Sequence, residues 1–127
     1  MPSDTMPIGL KTGLVELFPH QESWRADSEQ NIILIKGILG NDCIGAQYIG
    51  STAIIGMYAK PIIDIAIAVR ELNTVFSYID ILEQNGIFYR KVEETGQLLF
   101  IKGDLKDDIK THYIHIVREI VQIGIII

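Results

Sequence analysis

Asp64 lies inside an apolar run, Ile62-Ile63-Asp64-Ile65-Ala66-Ile67-Ala68-Val69. Read as a strand, the run sends Ile63, Ile65, Ile67 and Val69 to one face and Ile62, Asp64, Ala66 and Ala68 to the other. A carboxylate in a buried strand is costly unless it is paired or bound to a metal. Its ordinary role would be an ion pair with Lys60 or a cap on nearby backbone. Its chemical role would be to hold a cation. Upstream, Gly50-Ser51-Thr52 sits between a predicted strand and a predicted helical turn. Backbone N–H groups at a helix start, with a hydroxyl beside them, can hold a phosphate; the plainer alternative is an N-cap. His112 and His115 lie on a late strand. Neutral imidazole ligates the softer divalent ions and can meet a phosphate, and its ordinary role is a satisfied core or surface residue.

These residues must be positioned by a small set of elements. A short strand is expected at Leu14–Leu17, closed by Pro19. Ser23 and Trp24 open a helix that runs to Leu39, with Gly40-Asn41 as its C-cap and turn. A strand follows at Ile44–Ile49, then a helical turn at Thr52–Met57 and the strand Ile62–Val69. Glu71–Gln84 reads as one amphipathic helix with Leu72, Val75, Phe76, Ile79 and Leu82 on its apolar face. Strands Phe88–Val92 and Leu98–Lys102 flank the polar turn Glu93–Gly96. Gly103–Lys110 reads as a charged loop, in which Asp104, Asp107 and Asp108 are solvated. His112–Val117 is the last clear strand, and Ile120–Ile127 is apolar and strand-like. This order predicts an α+β fold, a mixed β-sheet with helices packed on one face.

The 127 residues predict one domain, with 1–12 as a loose arm and 118–127 as an atypical tail. A chain of this size hides roughly two-thirds of its unfolded surface, enough for a real core. A hydrophobic content of 48 % and a charged content of 21 % exclude a disordered chain. The net charge of −5 argues against an extended nucleic-acid groove, which needs clustered Lys and Arg. One cysteine, Cys43, allows neither an intrachain disulfide nor a Cys/His metal cluster. Met1–Leu10 lacks the basic start and apolar run of a signal peptide, and Ile62–Val69 and Ile123–Ile127 are too short to span a bilayer. A cytoplasmic protein with no membrane partner is expected.

The run from Tyr48-Ile49-Gly50-Ser51-Thr52 through Gly56-Met57-Tyr58-Ala59-Lys60-Pro61-Ile62-Ile63-Asp64-Ile65 resembles the signature of the GrpB family, within the superfamily that shares the polymerase-beta type nucleotidyltransferase fold. Val15–His20 with Ser23-Trp24, Leu98–Gly103 and Thr111–Val117 extend the resemblance over about residues 12–118. The resemblance implies a nucleotidyltransferase-like mixed sheet. It also implies a site in which Gly50, Ser51 and Thr52 hold the phosphates of a nucleotide. Asp64 would be the metal-binding and catalytic carboxylate for Mg²⁺, and Lys60, Lys102, His112 and His115 would line the pocket. Active members of the superfamily use two carboxylates on that strand and a third from a later one, so that two cations balance the charge on the reacting oxygens.

This chain departs from that pattern. Ala66 stands where the second carboxylate would point, and the matching face of the late strand offers Tyr113 and His115. Tyr48 stands where the family usually has His, and Leu98 and Lys110 where Arg is common. Family members usually continue into C-terminal helices, whereas residues 118–127 do not resemble that region; an uncovered apolar surface there would favour a homodimer. Three functions follow as expectations. The first is Mg²⁺-dependent nucleotidyl transfer. The second is binding of a nucleotide or another phosphorylated metabolite without chemistry. The third is a structural or interaction module of the same fold. The missing carboxylate favours the second and third.

Overall fold

The structure is a computed structural model that describes residues 8, 10–11, 17–93 and 96–118. The expected arm 1–12 (apart from Ile8 and Leu10–Lys11), the strand Leu14–Leu17 up to its last residue, and the tail beyond Arg118 lie outside the described residues.

The long helix α1, Glu22–Leu39, carries an acid in its first turn and Lys36 in its last, each suited to the helix dipole. Its buried stripe is Trp24, Ser28, Asn31, Ile35 and Leu39, a spacing of three and four residues that keeps one face on the sheet. Gly40 ends it, with its N–H bonded to the Lys36 carbonyl.

Among the described residues, six strands form one sheet. They are β1 (Leu10–Lys11), β2 (Cys43–Ile49), β3 (Ile63–Val69), β4 (Ile87–Val92), β5 (Leu98–Asp104) and β6 (Ile109–Val117). The order is β2-β3-β6-β5-β4, with β1 pairing the start of β6. β3 and β6 run parallel, and the other pairs are antiparallel. The sheet is therefore mixed and the fold α+β, as expected.

Cross-strand register decides which residues share a face. Ile65 pairs Ile114, which pairs Phe100 on the far side, and these join Trp24, Ile35 and Leu39 of α1 in the core. Trp24, Ile35, Ile65, Phe100 and Ile114 are at most 1 % exposed. Burial of each such side chain is worth about 1.5–3 kcal/mol. On the opposite face Asp64 pairs Tyr113, Ala66 pairs His115 and Ala68 pairs Val117.

Three expected elements differ. The helix over Glu71–Gln84 is instead α2 (Leu72–Val75), a 3-10 turn (Phe76–Tyr78) and α3 (Ile79–Gln84). The break leaves Phe76 43 % exposed, although its ring makes an edge contact with Tyr89. The helical turn over Thr52–Met57 is a single 3-10 turn, Ser51–Ala53, that ends at an extended Ile54. β-branched Ile54 and Ile55 followed by Gly56 are poor helix formers. The loop over Gly103–Lys110 is half strand: β5 runs to Asp104, and β6 starts at Ile109 after the 3-10 turn Leu105–Asp107. Gly103 makes this possible, since a Cβ there would collide with the Ile109 carbonyl oxygen. Asp104, Asp107 and Asp108 are exposed, as expected.

Candidate functional site

β2 ends at Ile49, whose partner across the pair is Asp64. The chain then turns at Gly50, with φ 82° and ψ −177°, a conformation essentially reserved for glycine. This turn lays the backbone against Asp64 and places Ser51 at the mouth of the site. Downstream, a two-way backbone bridge joins Phe18 and Ala59, each N–H to carbonyl distance being 2.9 Å. The Ile62 N–H returns to the Lys60 carbonyl at 2.8 Å, a tight turn around Pro61. The bridge and turn fix Tyr58 and Lys60 beside the start of β3.

Leu17, Ser51, Tyr58, Ala59, Lys60, Ile62, Asp64 and Tyr113 then surround one open hollow of about 410 Å³. This volume falls within the range of small-molecule sites, about 300–1,000 Å³. Its wall mixes aliphatic and aromatic side chains with a hydroxyl, an ammonium and a carboxylate.

Asp64 is held from two sides. Oδ1 lies 3.3 Å from Nε2 of His115. Oδ2 lies against Gly50, where a Cβ would approach it to 2.8 Å. The other ring nitrogen of His115, Nδ1, lies 3.4 Å from Oε2 of Glu93, just past the end of β4. The ring is therefore clamped between two carboxylates. Burial disfavours the charged ring, but hydrogen bonding and charge from Asp64 and then Glu93 outweigh it, so the His115 pKa is raised. The partner of Asp64 is thus His115, not the Lys60 of the plainer sequence reading.

The structure brings Ser51, Lys60 and Asp64 to the hollow, sets Gly50 against Asp64, and places His115 behind it. Three expected pocket residues lie elsewhere. Thr52 is 1 % exposed, with its hydroxyl near Tyr48 and not on the wall of the hollow. His112 and Lys102 pair with Ile63 and Ile87, on the helix-covered side of the sheet. There His112 Nε2 meets Asp27 Oδ1 at 2.5 Å, and Nδ1 meets the Thr111 hydroxyl at 2.6 Å. Lys102 donates to Asn31 Oδ1 at 2.6 Å, and Asn31 Nδ2 donates to Asp27 at 2.8 Å. This cluster ties α1 to β5 and β6. Burial alone would raise the Asp27 pKa, but the His112 hydrogen bond and charge, aided by Lys102 and Asn31, lower it. In place of the expected helix start stands the 3-10 turn Ser51–Ala53, in which the Ala53 N–H bonds the Gly50 carbonyl at 3.1 Å.

The donor set does not fit the two-cation centre of the superfamily. Ala66 is fully buried and bears only a methyl group. The partner across from it is an imidazole, and among the described residues no three Asp, Glu, His or Cys side chains converge as a metal site.

The profile of the GrpB protein family matches residues 14–122. The chain belongs to the GrpB family. It is 35 % identical to the glutamate-rich protein GrpB of Alkalihalophilus pseudofirmus over 114 residues, 87 % of this chain and 66 % of that one. It is 33 % identical to the UPF0157 protein YqkA of Bacillus subtilis over 107 residues, 83 % of this chain and 30 % of that protein. The crystal structure of the conserved protein GrpB from Enterococcus faecalis superposes with a TM-score of 0.76 at 29 % identity, covering 86 % of this chain and 66 % of that one. The chain thus spans just under two thirds of the GrpB proteins it matches. Among the described residues of this GrpB chain, no helix is long and apolar enough to cross a membrane.

Sequence reasoning missed Glu93, Asp27 and Asn31. A signal existed for Asn31, a polar residue on the apolar stripe of α1. Glu93 had none, because it meets His115 only through strand register.

Proposed function

We propose that the hollow beside Asp64 binds a phosphorylated small molecule, with nucleotides the first class to test. The observation that carries this reading is the convergence of Ser51, Lys60 and Asp64 on one open space walled by Leu17, Tyr58 and Tyr113. The Lys60 ammonium and Ser51 hydroxyl are donors suited to phosphate oxygens. The Asp64 carboxylate would repel an anion on its own, but His115 beside it offsets that charge. The aromatic and aliphatic wall suits an apolar moiety such as a base. Binding is favoured over nucleotidyl transfer, since transfer by two carboxylate-held cations lacks its second carboxylate at Ala66.

A thermal-shift panel of nucleoside mono-, di- and triphosphates, sugar phosphates and pyrophosphate, each with and without Mg²⁺, tests the reading. At least one compound should raise the melting temperature of the native protein, and Lys60→Glu should abolish that rise. A panel with no response, or a response that Lys60→Glu leaves intact, would remove the proposal.

A further inference from the structure

We infer that the His115 ring, held between Asp64 and Glu93, occupies the place of a cation in this site, so that Asp64 is not free to take a divalent ion. The inference concerns the same hollow but borrows only its location from the reading above, so metal uptake tests it without any organic ligand.

The argument starts from parity on the sheet. Residues of one parity on β3 point with Asp64, and the next such residue is Ala66. Its Cα partner on β6 is His115. The space that a second carboxylate would share with Asp64 therefore borders an imidazole on the adjacent strand. That imidazole reaches Asp64 Oδ1 at 3.3 Å and Glu93 Oε2 at 3.4 Å. These are ion-pair distances, longer than the tightest charge-assisted hydrogen bonds.

The placement of the ring between the two carboxylates carries the inference, and donor and acceptor counting agrees with it. An ionised carboxylate only accepts, and a neutral imidazole has one N–H. A ring that faces a carboxylate from each nitrogen satisfies both only when each nitrogen bears a proton. The side chains of His115, Asp64 and Glu93 are each between 22 % and 29 % exposed, so solvent screens the group only in part. One positive ring between two negative groups does locally what a bound cation would do. Asp64 also lines the open hollow, so it is the ring on Oδ1, and not a lack of space, that stands where an ion would bind.

The test is calorimetric titration of Mn²⁺ into the ligand-free protein, the native chain against His115→Ala. Removal of the ring frees two carboxylates on one face, and His115→Ala should bind Mn²⁺ roughly tenfold or more tightly than the native chain. Mn²⁺ uptake by the native chain equal to or tighter than that of the variant overturns the inference. Should His115→Ala not fold, long-range proton–nitrogen NMR of the native protein near neutral pH decides instead. Two protonated ring nitrogens on His115 support the inference, and a neutral ring overturns it. A phosphorylated ligand could fail to bind while either result stands, so the two readings fail separately.

Discussion

Gly50 packs against Asp64 at a place where any side chain must push the carboxylate aside: a Cβ there would stand 2.8 Å from Oδ2 and 3.2 Å from Cβ of Asp64. Two costs therefore meet at this position. The φ of 82° is strained for any side chain, by about 1–3 kcal/mol. The steric clash with the carboxylate adds to it. Gly50→Ala should lower stability by about 1–3 kcal/mol in denaturant melts from the backbone term alone. In an Asp64→Ala background the same substitution should cost measurably less, because the 2.8 Å clash with Oδ2 is gone and only the backbone term and the milder 3.2 Å approach to Cβ remain. Equal costs in the two backgrounds would show that the close approach is not a real contact.

The two faces of β6 predict opposite behaviour for its two histidines. His112 is 3 % exposed and bonded to Asp27 and Thr111. His112→Ala should cost about 1.5–3 kcal/mol, the range for hydrogen bonds to charged groups. It should leave the ligand-induced thermal shift of the hollow unchanged once corrected for the lower baseline. Loss of that shift in a folded His112→Ala protein would contradict the assignment of His112 to the helix side.

That division was legible in the sequence in part. Strand alternation placed Asp64 opposite Ile63 and Ile65, and the register confirms it. The same rule already separates His112 from His115: a spacing of three on a strand points two side chains to opposite faces. Grouping both in one pocket followed the family resemblance and overlooked that parity. Lys102 was misassigned for a related reason, since its face depends on the pairing of β5 with β4 and β6, which sequence alone does not give. Glu93 was out of reach altogether. It lies in a turn, and only the order β3-β6-β5-β4 brings it near His115. The Ser51, Lys60 and Asp64 convergence was legible because all three lie in one short stretch around a single turn and strand.

Lys60 and Lys102 carry the same charge on opposite sides of the sheet, and they offer a matched pair for the ligand reading. Lys60 lines the hollow, whereas Lys102 is bonded to Asn31 under α1. For any phosphorylated compound that binds, Lys60→Met should weaken affinity by about tenfold, or about 1.4 kcal/mol. Lys102→Met should leave affinity within about twofold and instead lower stability, by about 1–3 kcal/mol for the bond it removes from a buried amide. Calorimetric titration and denaturant melts on both variants separate the two effects. The reverse pattern, with Lys102 governing affinity, would move the ligand to the other face.

Two of the shifted groups, Asp27 and His115, give stability profiles of opposite sign. The Asp27 pKa is lowered from 3.8 in the folded chain, so the carboxylate contributes stability that is present above that value and lost as the pH falls through the folded pKa. Asp27→Asn should flatten the acid limb of a melting-temperature profile below about pH 4. The His115 pKa is raised from 6.5 in the folded chain, so its contribution is fully present below that value and is lost as the pH rises through the folded pKa. His115→Gln should therefore remove a decline in stability that the native chain shows on the alkaline side of pH 6.5, and leave the acid limb intact. Glu93→Gln should remove part of the same decline, since Glu93 supplies the smaller share of the shift after Asp64. If the native profile is flat above pH 6.5, or if Glu93→Gln steepens it, the ring is not clamped between the two carboxylates as the distances describe.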